Sequence, residues 1–137
     1  MPVTVSERHF RPGDVERLIP RLTEVMTRVM QAHADAETAR ERLAAERGRI
    51  AAAGGGIVDQ AAWRTTESRV RAMMEIVQGG LNEIATMGGA PKDLALGLVD
   101  FPHVRDGREV NLCWKHGERA VRWWHGLDEG YASRKPL

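Results

Sequence analysis

The chain has few of the residues that cross-link or anchor a protein. Cys113 is the only cysteine among 137 residues, which excludes an intramolecular disulfide and fits a reducing compartment. No apolar run approaches the roughly 18 residues that a membrane span needs. Residues 1–4 lack the basic and apolar regions of a signal peptide. We therefore expect a cytoplasmic protein without a membrane partner.

An excess of charge of one sign is also missing. The chain carries 20 Lys and Arg against 19 Asp and Glu, for a net charge of +1. Nucleic-acid binding depends on clustered cations that displace phosphate counterions, so this composition disfavours a nucleic-acid partner. The length is that of one domain, and long helices in so small a domain stay partly exposed unless another chain covers them. We therefore expect a single domain over residues 1–137 that forms a homodimer.

The first half of the chain has the pattern of a long amphipathic helix. Apolar residues recur at steps of three and four from Asp14 to residue 31, and the stripe then thins to alanines. Pro20 interrupts this pattern, because a proline inside a helix lacks the N–H donor and clashes with the preceding turn. The sequence predicts a kink or a late helix start there.

A run of glycines at residues 54–56 predicts that the chain reverses. Asp59 is a suitable N-cap for a second helix, in which Trp63, Val70, Val77 and Ile84 recur at steps of seven. The pattern predicts an antiparallel helical hairpin over residues 1–90. The Gly79-Gly80 pair indicates a weak point or a close crossing of the helices, and a functional hinge is the alternative.

The last third of the chain, residues 91–137, predicts a small sheet. Segments 96–101, 108–114 and 120–124 have strand character, and Asp106-Gly107 is the signal of a type I′ hairpin. Alternation places Leu112 and Trp114 on one face and Cys113 on the other. The predicted fold is mainly α with a small β part: a long helical hairpin followed by a three-stranded antiparallel meander.

Histidine and acidic residues near the C-terminus form a candidate metal site. Imidazole and carboxylate ligands from Asp100, His125, Asp128 and Glu129 suit Zn, Fe, Mn or Ni. The alternative is a structural cluster whose polar groups satisfy each other. Without a metal, His125 and Asp128 are candidates for acid–base catalysis. Cys113 is an unattractive nucleophile, and a haem with His125 or Cys113 as axial ligand is conceivable although no attachment motif supports it.

A second set of residues indicates a small anionic ligand. Guanidinium groups bind carboxylate and phosphate through paired hydrogen bonds, and Arg108 and Arg134 are candidates for this role. Trp124 and Tyr131 would line the same site. The alternative is that these cations form salt bridges to neighbouring acids and fix the C-terminal tail.

The C-terminal segments GLVDFP at 97–102, RDGREV at 105–110, LCW at 112–114 and LD at 127–128 carry a family resemblance. They resemble short bacterial proteins known only as domain of unknown function 2203, and weaker similarity extends over nearly the whole chain. The resemblance implies helices with a small sheet and no established activity. The sequence thus favours a His and carboxylate site for a divalent metal or a small anion, and leaves catalysis open. The competing hypothesis is a non-catalytic helical adaptor that acts by self-association and partner binding.

Overall fold

A computed structural model describes residues 8–55 and 60–137. Two long helices precede five antiparallel strands in the order β1-β2-β3-β4-β5. The elements of the described residues are α1 (Pro12–Ala52), α2 (Gln60–Met87), β1 (Ala90–Asp93), β2 (Leu98–Arg105), β3 (Arg108–Lys115), β4 (Trp123–His125) and β5 (Lys135–Pro136), and a 3-10 turn at Tyr131–Ser133. The predicted fold class, mainly α with a smaller antiparallel β part, is confirmed.

Helix α1 follows the predicted apolar stripe, with Val15, Leu22 and Val25 fully buried. It begins before Pro20 and continues through it, so the prediction of a late helix start is wrong. Pro20 lies on the exposed side of the helix, as does Glu16, whose carbonyl loses its usual N–H donor. Water can replace that donor at the surface, which explains why the helix tolerates the proline.

The two helices form an antiparallel hairpin, as predicted. Near the glycine turn, the guanidinium of Arg47 lies over the Trp63 ring at 5.6 Å from its centroid. Near the other end, Glu83 accepts hydrogen bonds from Arg21 at 2.6 Å and Arg28 at 3.4 Å. Helix α2 begins at Gln60, one residue after the predicted N-cap; Asp59 itself lies outside the described residues.

The paired glycines of α2 differ in their surroundings. A Cβ added to Gly80 would lie 2.2 Å from Cγ2 of Val29, whereas one added to Gly79 would meet no atom within 4 Å. Only a residue without a side chain allows this approach of α2 to α1. Among the sequence interpretations of the pair, a close helix crossing therefore holds at Gly80.

The sheet has five strands, so the predicted number of three is wrong. Asp106 and Gly107 both have positive φ, 52° and 76°, as a type I′ turn requires, and they join β2 to β3. The additional strands β1 and β5 are short edge strands that contain proline, and neither shows the apolar alternation by which strands are recognised. They exist because β2 and β4 offer them pairing partners.

One face of the sheet packs on the helices. Val99, Phe101, Leu112 and Trp114 are completely buried there and share a core with the α1 and α2 stripes. Phe10 joins this core, with its ring 5.1 Å from that of Phe101 in an edge-on arrangement. Neither described helix is long and apolar enough to cross a lipid bilayer. The opposite face of β2, β3 and β4 carries the polar residues described next.

Candidate metal centre

Asp100, Cys113 and His125 meet on the sheet face that points away from the helices. Asp100 on β2 is directly opposite Cys113 on β3, and His125 on β4 is opposite Asn111. Because side chains alternate along strands, residues 111 and 113 and their cross-strand partners share one face. The three side chains are almost inaccessible to solvent, with residue exposures of 3%, 1% and 2%. One ligand atom from each lies within 4.8 Å of the other two.

The contacts of His125 restrict what can lie between its Nε2 atom and Asp100. Nδ1 lies 2.8 Å from the carbonyl oxygen of Gly126, which can only accept, so Nδ1 carries a hydrogen. Nε2 lies 3.1 Å from Oδ1 of Asp100, which is also an acceptor when ionised. A neutral imidazole has one N–H and cannot satisfy both contacts. Either an additional proton or a metal ion must occupy the Nε2 side.

Cys113 is a protonated thiol at neutral pH. Burial raises its pKa from an ordinary value of 9.0 to about 12, and the nearby charge of Asp100 acts in the same direction. The guanidinium of Arg134 opposes this shift without overcoming it. The thiol is therefore a poor nucleophile by itself, because the thiolate is the reactive form. A bound metal ion would supply the charge that stabilises the thiolate.

The guanidinium of Arg134 lies beside the sulfur of Cys113 and is held there by several contacts. This group donates hydrogen bonds to both carboxylate oxygens of Glu118, at 3.1 and 3.2 Å. It also stacks at 5.0 Å over the Trp123 ring and at 4.5 Å over the Tyr131 ring. Burial disfavours the cation, but Glu118 more than offsets this and the pKa of Arg134 is raised. The residue is thus a permanent cation next to Cys113.

The cluster lies at the wall of a cavity of about 140 Å³. A water molecule takes about 30 Å³ of liquid volume, so the space suits about five waters or a small molecule. The C-terminal segment after β4 covers the cluster and closes one side of the cavity. The remaining lining comes from Lys92, Leu98, Asn111, Leu127, Glu129, Gly130 and Tyr131.

Of the four predicted metal ligands, the structure brings together Asp100 and His125. Glu129 lines the cavity, but its Oε1 accepts a hydrogen bond from Lys135 Nζ at 2.5 Å and one from the Gly126 N–H at 2.7 Å. These bonds lower the pKa of Glu129. Asp128 is exposed and lies outside the group of three.

The four predicted ligand-binding residues divide into two pairs. Tyr131 and Arg134 border the cluster. Trp124 is paired with Leu112 and so belongs to the helix-facing side of the sheet, with the Arg105 guanidinium 4.9 Å from its ring centroid. Arg108 begins β3 at the exposed hairpin tip and lines, with Trp124, a separate cavity of about 750 Å³. Arg108 and Trp124 therefore do not join the cluster.

Cys113 is the member of the cluster that the sequence analysis does not include among the candidate ligands of a divalent metal. A signal for it was present in the hairpin. A two-residue turn at Asp106-Gly107 sets Arg105 opposite Arg108, and counting back along both strands sets Asp100 opposite Cys113. No corresponding count reaches His125, because β4 follows an irregular connection rather than a tight turn.

Comparison with known families identifies one match that spans nearly the whole chain. A family model described as "Uncharacterized conserved protein (DUF2203)" matches residues 8–137. No curated protein and no solved structure matches the chain. The matched range includes all three residues of the buried cluster.

Proposed function

The chain belongs to the DUF2203 family, and from its buried cluster we propose that it binds a divalent transition metal ion through Asp100, Cys113 and His125. The supporting observation is the buried group of three ligand atoms, in which His125 Nε2 and Asp100 Oδ1 lie 3.1 Å apart with a proton or a metal ion between them. A metal ion in place of the proton would bind Nε2, a carboxylate oxygen and the sulfur together. The Gly126 carbonyl already fixes the imidazole tautomer that such binding requires.

The ligand set favours zinc among the divalent ions. Thiolate, imidazole and carboxylate are all zinc ligands, with metal–ligand distances of about 2.0 to 2.3 Å. Fe(II) and Ni(II) accept the same donors, whereas Mn(II) prefers oxygen and gains less from Cys113. The thiolate and the carboxylate together neutralise a divalent ion, so the buried centre carries no net charge. This neutrality reduces the cost of burial.

Three protein ligands leave a coordination position open. Closed structural zinc sites use four protein ligands, whereas sites that act on substrates use three and keep one position for water or substrate. The open position would face the cavity of about 140 Å³. A metal there lowers the pKa of a bound water or polarises a carbonyl group. The proposed activity is therefore Lewis-acid chemistry on a small molecule.

Metal analysis of the chain, purified without an affinity tag and then reloaded with zinc, tests the proposal. We expect one equivalent of metal and a rise in melting temperature on loading, since a ligand that binds only the folded state stabilises it. Cys113→Ala and His125→Ala should lose stoichiometric binding. Asp128→Asn and His116→Ala remove an acid and an imidazole outside the cluster and should keep it.

Asp100→Asn separates loss of the metal from loss of the fold. An asparagine at this position has the shape of aspartate, and its amide can donate to a neutral His125 Nε2. The variant should therefore fold with its melting temperature intact, yet bind zinc at least about 100-fold more weakly, the effect of losing a charged ligand. Wild-type protein that takes up no metal, and whose melting temperature ignores added zinc, iron and nickel, would rule the proposal out.

The alternative function, a helical adaptor, requires an apolar patch on the outer helix faces. On the described parts of α1 and α2, Ile76 is the only large apolar side chain that counts as exposed, with 39% of its surface accessible. This observation does not favour an adaptor. The homodimer stays a prediction, and sedimentation equilibrium of the purified chain would test it.

A further inference from the structure

Lys92 lies on the face of the sheet that carries the cluster. Ala90 is opposite Asp100 and Pro91 is opposite Val99, so alternation along β1 directs Lys92 to the Asp100 face. In β1, Pro91 pairs with Val99 and Asp93 pairs with Leu98, so Lys92 has no partner in the register. Such a β-bulge leaves the extra residue without a cross-strand partner. The Lys92 side chain lines the same cavity as Asp100, Cys113 and His125. The fold thus adds one cation to the surroundings of the cluster.

The positive charge of Lys92 has no acidic partner in the described part of the chain. Within residues 8–55 and 60–137, its ammonium forms no ion pair. Asp100 belongs to the cluster itself, and two further charged side chains near the cavity have close partners. Arg134 is paired with Glu118, and Glu129 with Lys135. With a neutral metal centre, the cavity would therefore carry a net charge of +1. A small anion is the ligand that such a cavity favours.

The dimensions and polar lining restrict the anion further. A space for about five waters accepts an anion of roughly four to six non-hydrogen atoms. Asn111, opposite His125 in the register, lines the cavity and can donate its amide N–H groups. A carboxylate has two oxygens, one for the open metal position and one for Lys92 or Asn111. Leu98 and Leu127 leave room for a short apolar substituent.

We infer that the metal centre binds small carboxylate anions, with one oxygen on the metal and the other held by Lys92. This inference rests on the proposed metal binding and adds to it the chemical class of the ligand. Lys92 acts here as an anion-binding and specificity-determining residue. By holding one carboxylate oxygen, Lys92 fixes the orientation of the anion so that the other oxygen reaches the metal.

Cobalt-substituted protein and acetate provide the test. Cobalt(II) replaces zinc in such sites, and its visible spectrum changes when the fourth ligand changes. We expect acetate to shift the spectrum with saturation, and benzoate, which has nine non-hydrogen atoms, to bind at least about tenfold more weakly because it exceeds the cavity. Lys92→Met keeps most of the aliphatic stem and should weaken acetate binding about tenfold or more, as expected from the loss of one charge-assisted hydrogen bond.

Arg108→Met is the matched control, since it removes one positive charge outside the cavity. It should leave acetate binding within about twofold and the affinity for cobalt unchanged. Lys92→Met removes a cation beside the metal and so should not lower the affinity for cobalt. Equal acetate binding by Lys92→Met and wild type would overturn the carboxylate inference, as would an effect of Arg108→Met as large as that of Lys92→Met. Stoichiometric cobalt binding without any response to acetate would overturn this inference alone. Failure to bind cobalt would overturn the metal proposal together with it.

Discussion

Substitution of the two neighbouring glycines in α2 should have opposite effects on stability. Alanine at either position gains about 1 kcal/mol of helix propensity over glycine. Gly79 has open space around it, so Gly79→Ala should keep this gain and stabilise the protein. At Gly80 the new methyl group would lie 2.2 Å from Val29 Cγ2, far inside the contact distance of about 3.5 to 4.0 Å between carbon atoms.

The cost at Gly80 follows from the stiffness of its neighbour. Val29 is fully buried in α1, and a valine in a helix has one strongly preferred χ1 rotamer. Rotation of its side chain is therefore unfavourable, and the helices must separate instead. Overpacking of this kind costs about 1 to 3 kcal/mol. Because the propensity gain is the same at both positions, the stability difference between the two variants reports this packing cost alone.

Urea unfolding followed by circular dichroism would measure the difference. For a chain of 137 residues, 1 to 3 kcal/mol corresponds to roughly 3 to 10 °C in melting temperature. Val29→Ala provides a further check, since it removes the clashing methyl group and should make Gly80→Ala much less damaging in the double variant. Equal stability of Gly79→Ala and Gly80→Ala would refute the close crossing of the helices.

Three further results are expected. The pKa of the Cys113 thiol is raised in the folded state from 9.0 to about 12, so the unfolded chain loses this proton first as pH rises. The unfolding free energy should therefore fall between pH 9 and 12, by at most about 1.4 kcal/mol per pH unit. Cys113→Ala should lack this component in urea titrations. Arg134→Lys removes the paired hydrogen bonds to Glu118 and the guanidinium contacts with both rings, and should lower the unfolding free energy by about 1.5 to 3 kcal/mol. A loss below about 0.5 kcal/mol, the size of a typical surface substitution, would contradict a stabilising role for these contacts. Zinc binding should release at least one proton, which calorimetry in buffers of different ionisation enthalpy would detect. The affinity for zinc should rise about tenfold per pH unit between pH 6 and 8. Zinc binding that does not depend on pH would exclude Cys113 as a ligand.

The sequence contains information about the candidate metal centre that the prediction of its ligands did not use. Asp100 and His125 were identified as candidates by residue type, and they do meet in the fold. Alternation places Cys113 on the correct face, but its sulfur is considered there only as a nucleophile or a haem ligand. Asp128 was chosen because it is close to His125 in the chain, yet closeness in sequence across an irregular segment does not bring side chains together.

The helices and the β2–β3 hairpin were determined by sequence alone, because their signals are local. A buried face that recurs every three to four residues defines α1 and α2 wherever they pack. Likewise, a two-residue turn with positive φ at both positions defines every pair in the hairpin, and so the Asp100 and Cys113 contact.

Only the tertiary structure decided which groups complete the centre. His125 reaches Asp100 because β4 pairs with β3, and Lys92 shares their face of the sheet because β1 pairs with β2. The short strands that carry both residues have little preference of their own, and they form because a neighbouring strand supplies their hydrogen bonds. Only the tertiary structure also explains why the helix tolerates Pro20 and why Gly80 is needed. Pro20 faces water, whereas Gly80 faces the other helix.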